Sequence, residues 1–329
     1  MATITGGVGL GGLNFDNLDI GSLPGATVLE SSATLYRADA EDDAGVGRHV
    51  FTGTGFTYDS LGRLSGGTVT GYQRLTTGDA LVVDVTGINV DVPSFLGLGA
   101  AHDTPAAWRA LLVNGDSITG TALDDVLKGY AGGDSISAGA GSDTIDGGAG
   151  ANYLRGDDGA DSMVGGSGFN DMNGNMGADT VSGGSAGDWV VGGKDNDILG
   201  GEGGNDIVYG NLGDDWCDGG DGADLVRGGQ GDDVLYGRAG DDWLSGDRGS
   251  DTLTGGLGAD VFHTFNEAGI DRVVDFNRAE GDRVELDPGT TYTVSQVIDD
   301  VVIDMGGGNQ MILVGVQMSS LTGAWIFGA

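Results

Sequence analysis

The sequence predicts an all-β protein, a repeat-built solenoid with a β-rich domain before it and a β cap after it. Three observations predict this. A nine-residue beat of glycine, acid and apolar residue runs without insertion through residues 120–263. Residues 1–101 alternate in the manner of strands, and residues 264–329 break into short strands around polar turns. Self-similarity at a fixed short period marks a stacked, solenoidal architecture.

Composition limits what the chain can do. Of 329 residues, 69 are Gly and only 4 Pro, which excludes collagen. Asp plus Glu number 50 against 14 Lys plus Arg, a formal net charge of -36. Such a charge repels phosphate, so nucleic acid is not the expected partner. It also opposes compaction, yet 39% of residues are hydrophobic and recur periodically, so a fold conditional on a cation fits better than disorder. Cys217 is the single cysteine, which rules out a disulfide framework and a thiolate metal cluster. No apolar run approaches the roughly 18 residues a membrane span needs. The opening "MATITGGVGLGG" has neither the basic region nor the apolar core of a Sec-type signal peptide.

Taken in order, residues 1–101 contain "ATVLESSATLYRA", "GRHVFTGTGFTYDS", "GGTVTGYQRL" and "DALVVDVTGINVDV". These predict a β-sandwich-like domain or a sheet of meandering hairpins. Residues 102–119 follow. In "HDTPAAWRALL", Thr104 is placed to cap a short helix with Pro105 at its first position, a plug for the solenoid's start. A degenerate first repeat, "LLVNGDSIT", spans 111–119.

Sixteen in-phase nonapeptides then occupy 120–263. Position one is Gly except at Ala138, and position six is Asp except at Asn152 and Asn170. Position eight is always apolar, from Leu127 and Ile136 through Cys217 to Leu253 and Phe262. This pattern resembles GGxGxDxUx, the nonapeptide of the RTX (repeats-in-toxin) calcium-binding family. The resemblance implies that six residues form a turn and three a short strand. It also implies that two nonapeptides make one coil of a parallel β-roll, with calcium between turns stacked along each edge.

Residue chemistry agrees independently. Glycines leave backbone carbonyls uncovered in a tight turn, and a carboxylate closing that turn adds a hard oxygen, as calcium requires. The apolar eighth residue points inward, while positions seven and nine point outward. Each buried Leu or Val is worth about 1.5–3 kcal/mol. So thin a core cannot offset chain ordering plus charge repulsion without metal-coupled folding. The predicted calcium ligands are Asp116, Asp125, Asp134, Asp143, Asn152, Asp161, Asn170, Asp179, Asp188, Asp197, Asp206, Asp215, Asp224, Asp233, Asp242, Asp251 and Asp260. Units two apart share an edge, so these seventeen offer at most fifteen edge sites. Asn152 and Asn170 keep an oxygen but lose the charge. Leu123, Ala186 and Asp195 replace glycine at position four, where a left-handed backbone is expected. Sites within 201–254 should be the tightest.

Position seven forms two outward ladders, one on each sheet. One carries Trp189, Ile207, Leu225 and Trp243, widened by Val191 and Tyr209 at position nine. The other carries Ile198, Trp216 and Val234. Outward apolar residues predict a surface covered by a terminal segment, by a second copy or by a ligand. Residues 264–329 supply the cap that stops end-to-end stacking, with Phe276 over the open core. The segment, with its closing "LTGAWIFGA", also resembles the region that follows RTX rolls. This implies an uncleaved carboxy-terminal signal read by a bacterial type I secretion apparatus.

Lookalikes fall away. His49, His102 and His263 are scattered and there is no HExxH, so no zinc protease of the kind often fused to RTX repeats is expected. "GGSAG" around Ser185 lies on the repeat beat, "RGD" at 155–157 bridges two repeats, and "GVGLGG" at 7–12 has no expected strand before it and no βαβ unit after it. With no catalytic constellation, the expectation is a secreted, calcium-folded, non-enzymatic component of a surface layer, matrix or adhesive assembly, at or outside the bacterial surface. The alternative is a calcium-dependent secreted enzyme or ligand-binding protein with its active domain at 1–101.

Overall fold

The computed structural model describes residues 114–328 in full. Earlier residues are described only as the backbone strands Thr3–Gly6, Thr27–Ser31, Leu35–Asp42, Gly45–Tyr58, Leu64–Leu75 and Leu81–Asp91. The chain divides into two compact units, Met1–Asp157 and Asp158–Ala329. Among the described residues all regular structure is β apart from the 3₁₀ turn Met318–Ser320. None of their helices is long and apolar enough to cross a membrane.

In the first unit, the strands from Thr27–Ser31 to Leu81–Asp91 pair antiparallel in sequence order, as a meander. Thr3–Gly6 pairs antiparallel with Leu81–Asp91 and, on its other side, parallel with Ser117–Thr119, the strand of the degenerate repeat. That pairing covers an edge that would otherwise invite association. The helix expected in "HDTPAAWRALL" lies outside the described residues. Beyond it, Ser117–Thr119 pairs parallel with Ser135–Ala140, and Val126–Lys128 with Thr144–Asp146. Ile118, Leu127, Ile136, Ile145 and Leu154 fill the interior between these two layers.

The second unit repeats this coil. Strands pair in parallel with a register of two nonapeptides, Trp189 to Ile207 to Leu225 to Trp243 on one sheet and Ile198 to Trp216 to Val234 on the other. All-β architecture and the parallel β-roll follow from this register. Alternation decides the burial: Val190, Val208, Val226 and Leu244 are fully buried from one sheet, Leu199, Cys217, Leu235 and Leu253 from the other.

The turns need unusual backbone at two positions. Position four is left-handed, and at Gly222 (φ 150) a Cβ would collide with the Gly204 carbonyl of the coil before. Asp195 adopts this conformation (φ 73), as Asp does more readily than most non-glycine residues, but Leu123 and Ala186 do not. Position two is left-handed as well, and Tyr130, Asp157, Asn175, Glu202, Asn211, Arg238 and Asp247 accept it without being glycine.

The cap continues both sheets. Ile270–Val273 pairs parallel with the strand Thr252–Leu257, Arg283–Leu286 with Val261–Thr264, and Ile326–Phe327 with Arg283–Leu286. Phe276 is buried and packs on Phe262, the last core residue of the repeats, at 6.0 Å between ring centroids, with Trp325 edge-on behind it. The antiparallel strands Thr293–Val297, Asp300–Gly306 and Asn309–Leu313 finish the second sheet.

Candidate metal centre

The turn places every position-six residue where water cannot reach it. All seventeen, from Asp116 to Asp260, are at most 3% exposed. The carboxylates are oriented by the coil before them. Oδ1 accepts the backbone N–H of the residue eighteen earlier: Asp134 from Asp116, Asp143 from Asp125, Asp197 from Asp179, Asp233 from Asp215, each at 2.7 to 2.8 Å. The bond recurs along both edges of the second unit, up to Asp242 donating to Asp260 at 3.0 Å.

Oδ2 is treated differently. In Asp134, Asp179, Asp188, Asp197, Asp206, Asp215, Asp224, Asp233, Asp242, Asp251 and Asp260 it is buried and has no hydrogen-bond partner. It points at the position-one glycine of its own repeat. At Gly237 a Cβ would strike Asp242 Oδ2 and sit 2.6 Å from the carbonyl oxygen of Gly255, one coil on. The space a side chain would fill is therefore lined by a carboxylate oxygen and a carbonyl oxygen.

Burial without a counter-charge raises these acids. Asp233 is pushed up to about 8, first by desolvation and then by Asp251, Asp215 and Asp214, against the lowering bond from the Asp215 amide. Asp197 and Asp242 rise to about 7, and Asp134, Asp179, Asp188, Asp206, Asp215, Asp224 and Asp260 to about 6, with desolvation the largest cause throughout. A buried anion with an unused oxygen calls for a cation. Among the described residues no three acidic, His or Cys side chains converge on one point, so carbonyls must complete any ligand set. Hard, all-oxygen donors of this kind suit calcium.

Three positions behave otherwise. Asn170 donates its side-chain N–H groups to Gly168 O, Gly183 O and Asp188 Oδ1, so an amide stands where a cation would serve its neighbours. Asn152 donates likewise to Gly150 O at 3.3 Å. Asp125 Oδ2 accepts from the Thr121 amide and hydroxyl and is satisfied locally.

The ladder also runs past the repeats. Asp282 Oδ1 accepts from the Asp260 amide at 3.1 Å, and Asp271, buried beside Asp251, accepts from its amide at 3.4 Å. Spacings of 22 and 20 residues hide them from a nine-residue beat. "DRV" at 271–273 and again at 282–284 still carries the signal, an Asp two before a buried Val. Asp275 adds bonds from the Gly255 and Gly256 amides. A second, exposed ladder lies at position five, where Asn196, Asp214 and Asp232 accept the amides of Asp214, Asp232 and Ser250.

The outward residues are not equivalent. Trp189, Ile198 and Trp216 are exposed, while Val191, Ile207, Tyr209, Leu225, Val234 and Trp243 are half-buried. Trp243 is covered by the cap: its ring stacks on His263 at 5.0 Å, and its Nε1 donates to Glu285 Oε2 at 2.8 Å. His263 also bridges Ser245 Oγ at 3.2 Å and Asp287 Oδ1 at 3.3 Å. This Ser–His–Asp line is a clamp, because Ser245 is fully buried and donates its hydroxyl to Asp247. Cys217 is a core residue whose thiol burial pushes up.

The family model of the RTX calcium-binding nonapeptide repeat (4 copies) matches residues 119–154, 155–190, 182–217, 191–226, 218–253 and 236–264. No curated protein is matched. Among solved structures, the extracellular lipase LipA from Serratia marcescens is similar at 19% identity, over 64% of this chain and 39% of that one, with a TM-score of 0.25. The chain thus spans well under half of that lipase, and a likeness this weak carries no argument about activity. With their nonapeptide beat, parallel coils and buried aspartates, residues 119–264 are a run of RTX calcium-binding nonapeptide repeats.

Proposed function

We propose that the seventeen position-six residues, Asp116 to Asp260, are the calcium-ligand ladder of a secreted protein that stays unfolded inside the cell and folds on meeting calcium outside. The observation that carries this is the row of buried, unpartnered Oδ2 atoms from Asp179 to Asp260. Stacked carboxylates repel one another, and only a divalent ion in the cradle between coils turns that repulsion into cohesion. Calcium at the 10⁻⁴ to 10⁻³ M order typical of extracellular modules would suffice. Secretion through a type I apparatus reading the carboxy-terminal segment fits a chain that must be threaded unfolded.

In this reading the protein is a non-enzymatic structural component of a surface layer, matrix or adhesive. The exposed face around Trp189 is where a second copy packs. Circular dichroism during a calcium titration tests the folding, and a β signal already complete in chelator would overturn it. Electron microscopy with and without calcium tests the assembly. Calcium-triggered sheets or filaments are expected, and monodisperse monomers would refute the structural role.

A further inference from the structure

One outward position on the second sheet is not explained by the fold. Position nine points outward and holds a side chain in every repeat except at Gly200. Gly200 is not left-handed, and a Cβ there would meet nothing nearer than Glu202 Oε1 at 3.3 Å, the end of a flexible side chain. Neither strain nor packing therefore requires glycine, which weakens a strand and marks places where a ligand comes close.

The missing side chain forms the floor of an open groove of about 480 Å³, within the size range of small-ligand sites. Ile198 (56% exposed) and Trp216 (42% exposed) flank the floor. Tyr236 props the indole at 4.9 Å between ring centroids, and Arg238 lies over Tyr236 at 4.5 Å, so Trp216 is supported from one side. Arg238 donates to Asp218 at 2.6 and 2.9 Å, and Ser182 donates to Glu202 at 3.2 Å. The rim thus alternates donors and acceptors in pairs.

We propose that this groove binds a neutral carbohydrate, one sugar ring seated over Gly200 against the Trp216 face and its hydroxyls bridging Glu202, Asp218 and Arg238. A pyranose offers an apolar C–H face to an aromatic ring and hydroxyls that donate and accept. Other ligand classes fit worse. A polyanion is repelled by a chain of net charge -36. A purely apolar ligand would strip water from Glu202 and Asp218 without replacing it.

The test is calorimetric titration of the full chain, folded in calcium, with neutral oligosaccharides of glucose, mannose, galactose and N-acetylglucosamine, and with tetralysine. At least one sugar series should bind. Gly200→Val places at this position the residue that Val164 and Val191 supply elsewhere, so the roll should fold as before by circular dichroism while sugar binding falls at least about tenfold. Trp216→Ala should weaken binding by about tenfold. Silence across the sugar panel, undiminished binding by Gly200→Val, or binding of tetralysine in place of the sugars would each overturn the proposal.

Discussion

The backbone amide of Asp215 donates to Oδ1 of Asp233 at 2.8 Å, while Oδ2 of Asp233 is buried with no partner. One side chain thereby does two jobs. One oxygen ties a coil to the next, and the other faces the space where a cation would sit.

Those jobs can be separated by Asp233→Asn, which keeps an oxygen to accept the Asp215 amide but removes the charge. Ligand charge tunes calcium affinity over decades, so the affinity of the adjoining site should fall about tenfold or more. In chelator the same change should raise the stability of the roll, because the cost of burying that carboxylate, and with it the repulsion from Asp251 and Asp215, disappears. Calcium-binding calorimetry and denaturant midpoints in chelator check the two signs.

The pH dependence of the metal-free roll has a definite sign. The ladder carboxylates sit above the ordinary 3.8, at about 6 for most, about 7 for Asp197 and Asp242 and about 8 for Asp233. A raised folded pKa means the folded state holds protons more tightly than the unfolded chain. That contribution to stability is complete below about pH 4 and lost as pH rises through 6 to 8. Metal-depleted protein should therefore gain β signal on acidification, and calcium affinity should increase across the same window as competing protons leave. Circular dichroism and calcium titrations at graded pH read both.

Two glycines of the roll distinguish cradle from filler. A Cβ on Gly237 would strike Asp242 Oδ2 and approach Gly255 O, whereas a Cβ on Gly203 meets nothing within 4 Å. Gly237→Ala should lower calcium stoichiometry and thermal stability in calcium, by about 1–3 kcal/mol if the site is overpacked. Gly203→Ala should leave both unchanged. Calcium stoichiometry and melting temperature measured side by side decide.

The two outward tryptophans of the first sheet should part company. Trp189 is 44% exposed, whereas Trp243 stacks on His263 and donates to Glu285. Trp189→Ser should alter the sedimentation profile without altering calcium stoichiometry. Trp243→Ser should loosen the cap, costing about 1–3 kcal/mol through the lost bond to the half-buried Glu285 and lost stacking, and leave the association state alone. An unchanged sedimentation profile for Trp189→Ser would count against self-association through this face.

By itself the sequence determined the repeat geometry, because a strict period makes one coil's solution the solution of all. The two-nonapeptide register, the buried eighth position, the aspartate at the end of each turn and the Phe276 plug were legible from spacing, alternation and the family's motif. Only the tertiary structure decided what depends on which residues meet across coils. It divided each carboxylate into a bonded and an unpartnered oxygen, and it let Asn170 supply an amide where its neighbours look for a cation. It brought Asp271 and Asp282 into the ladder after spacings the beat does not contain, since a longer turn can still return a strand to register. It covered Trp243 with His263 while leaving Trp189 and Trp216 exposed, and it made Gly200 the floor of a groove. Local periodicity carries no information about such neighbours, because they are set by the stacking of coils and by where the stacking ends.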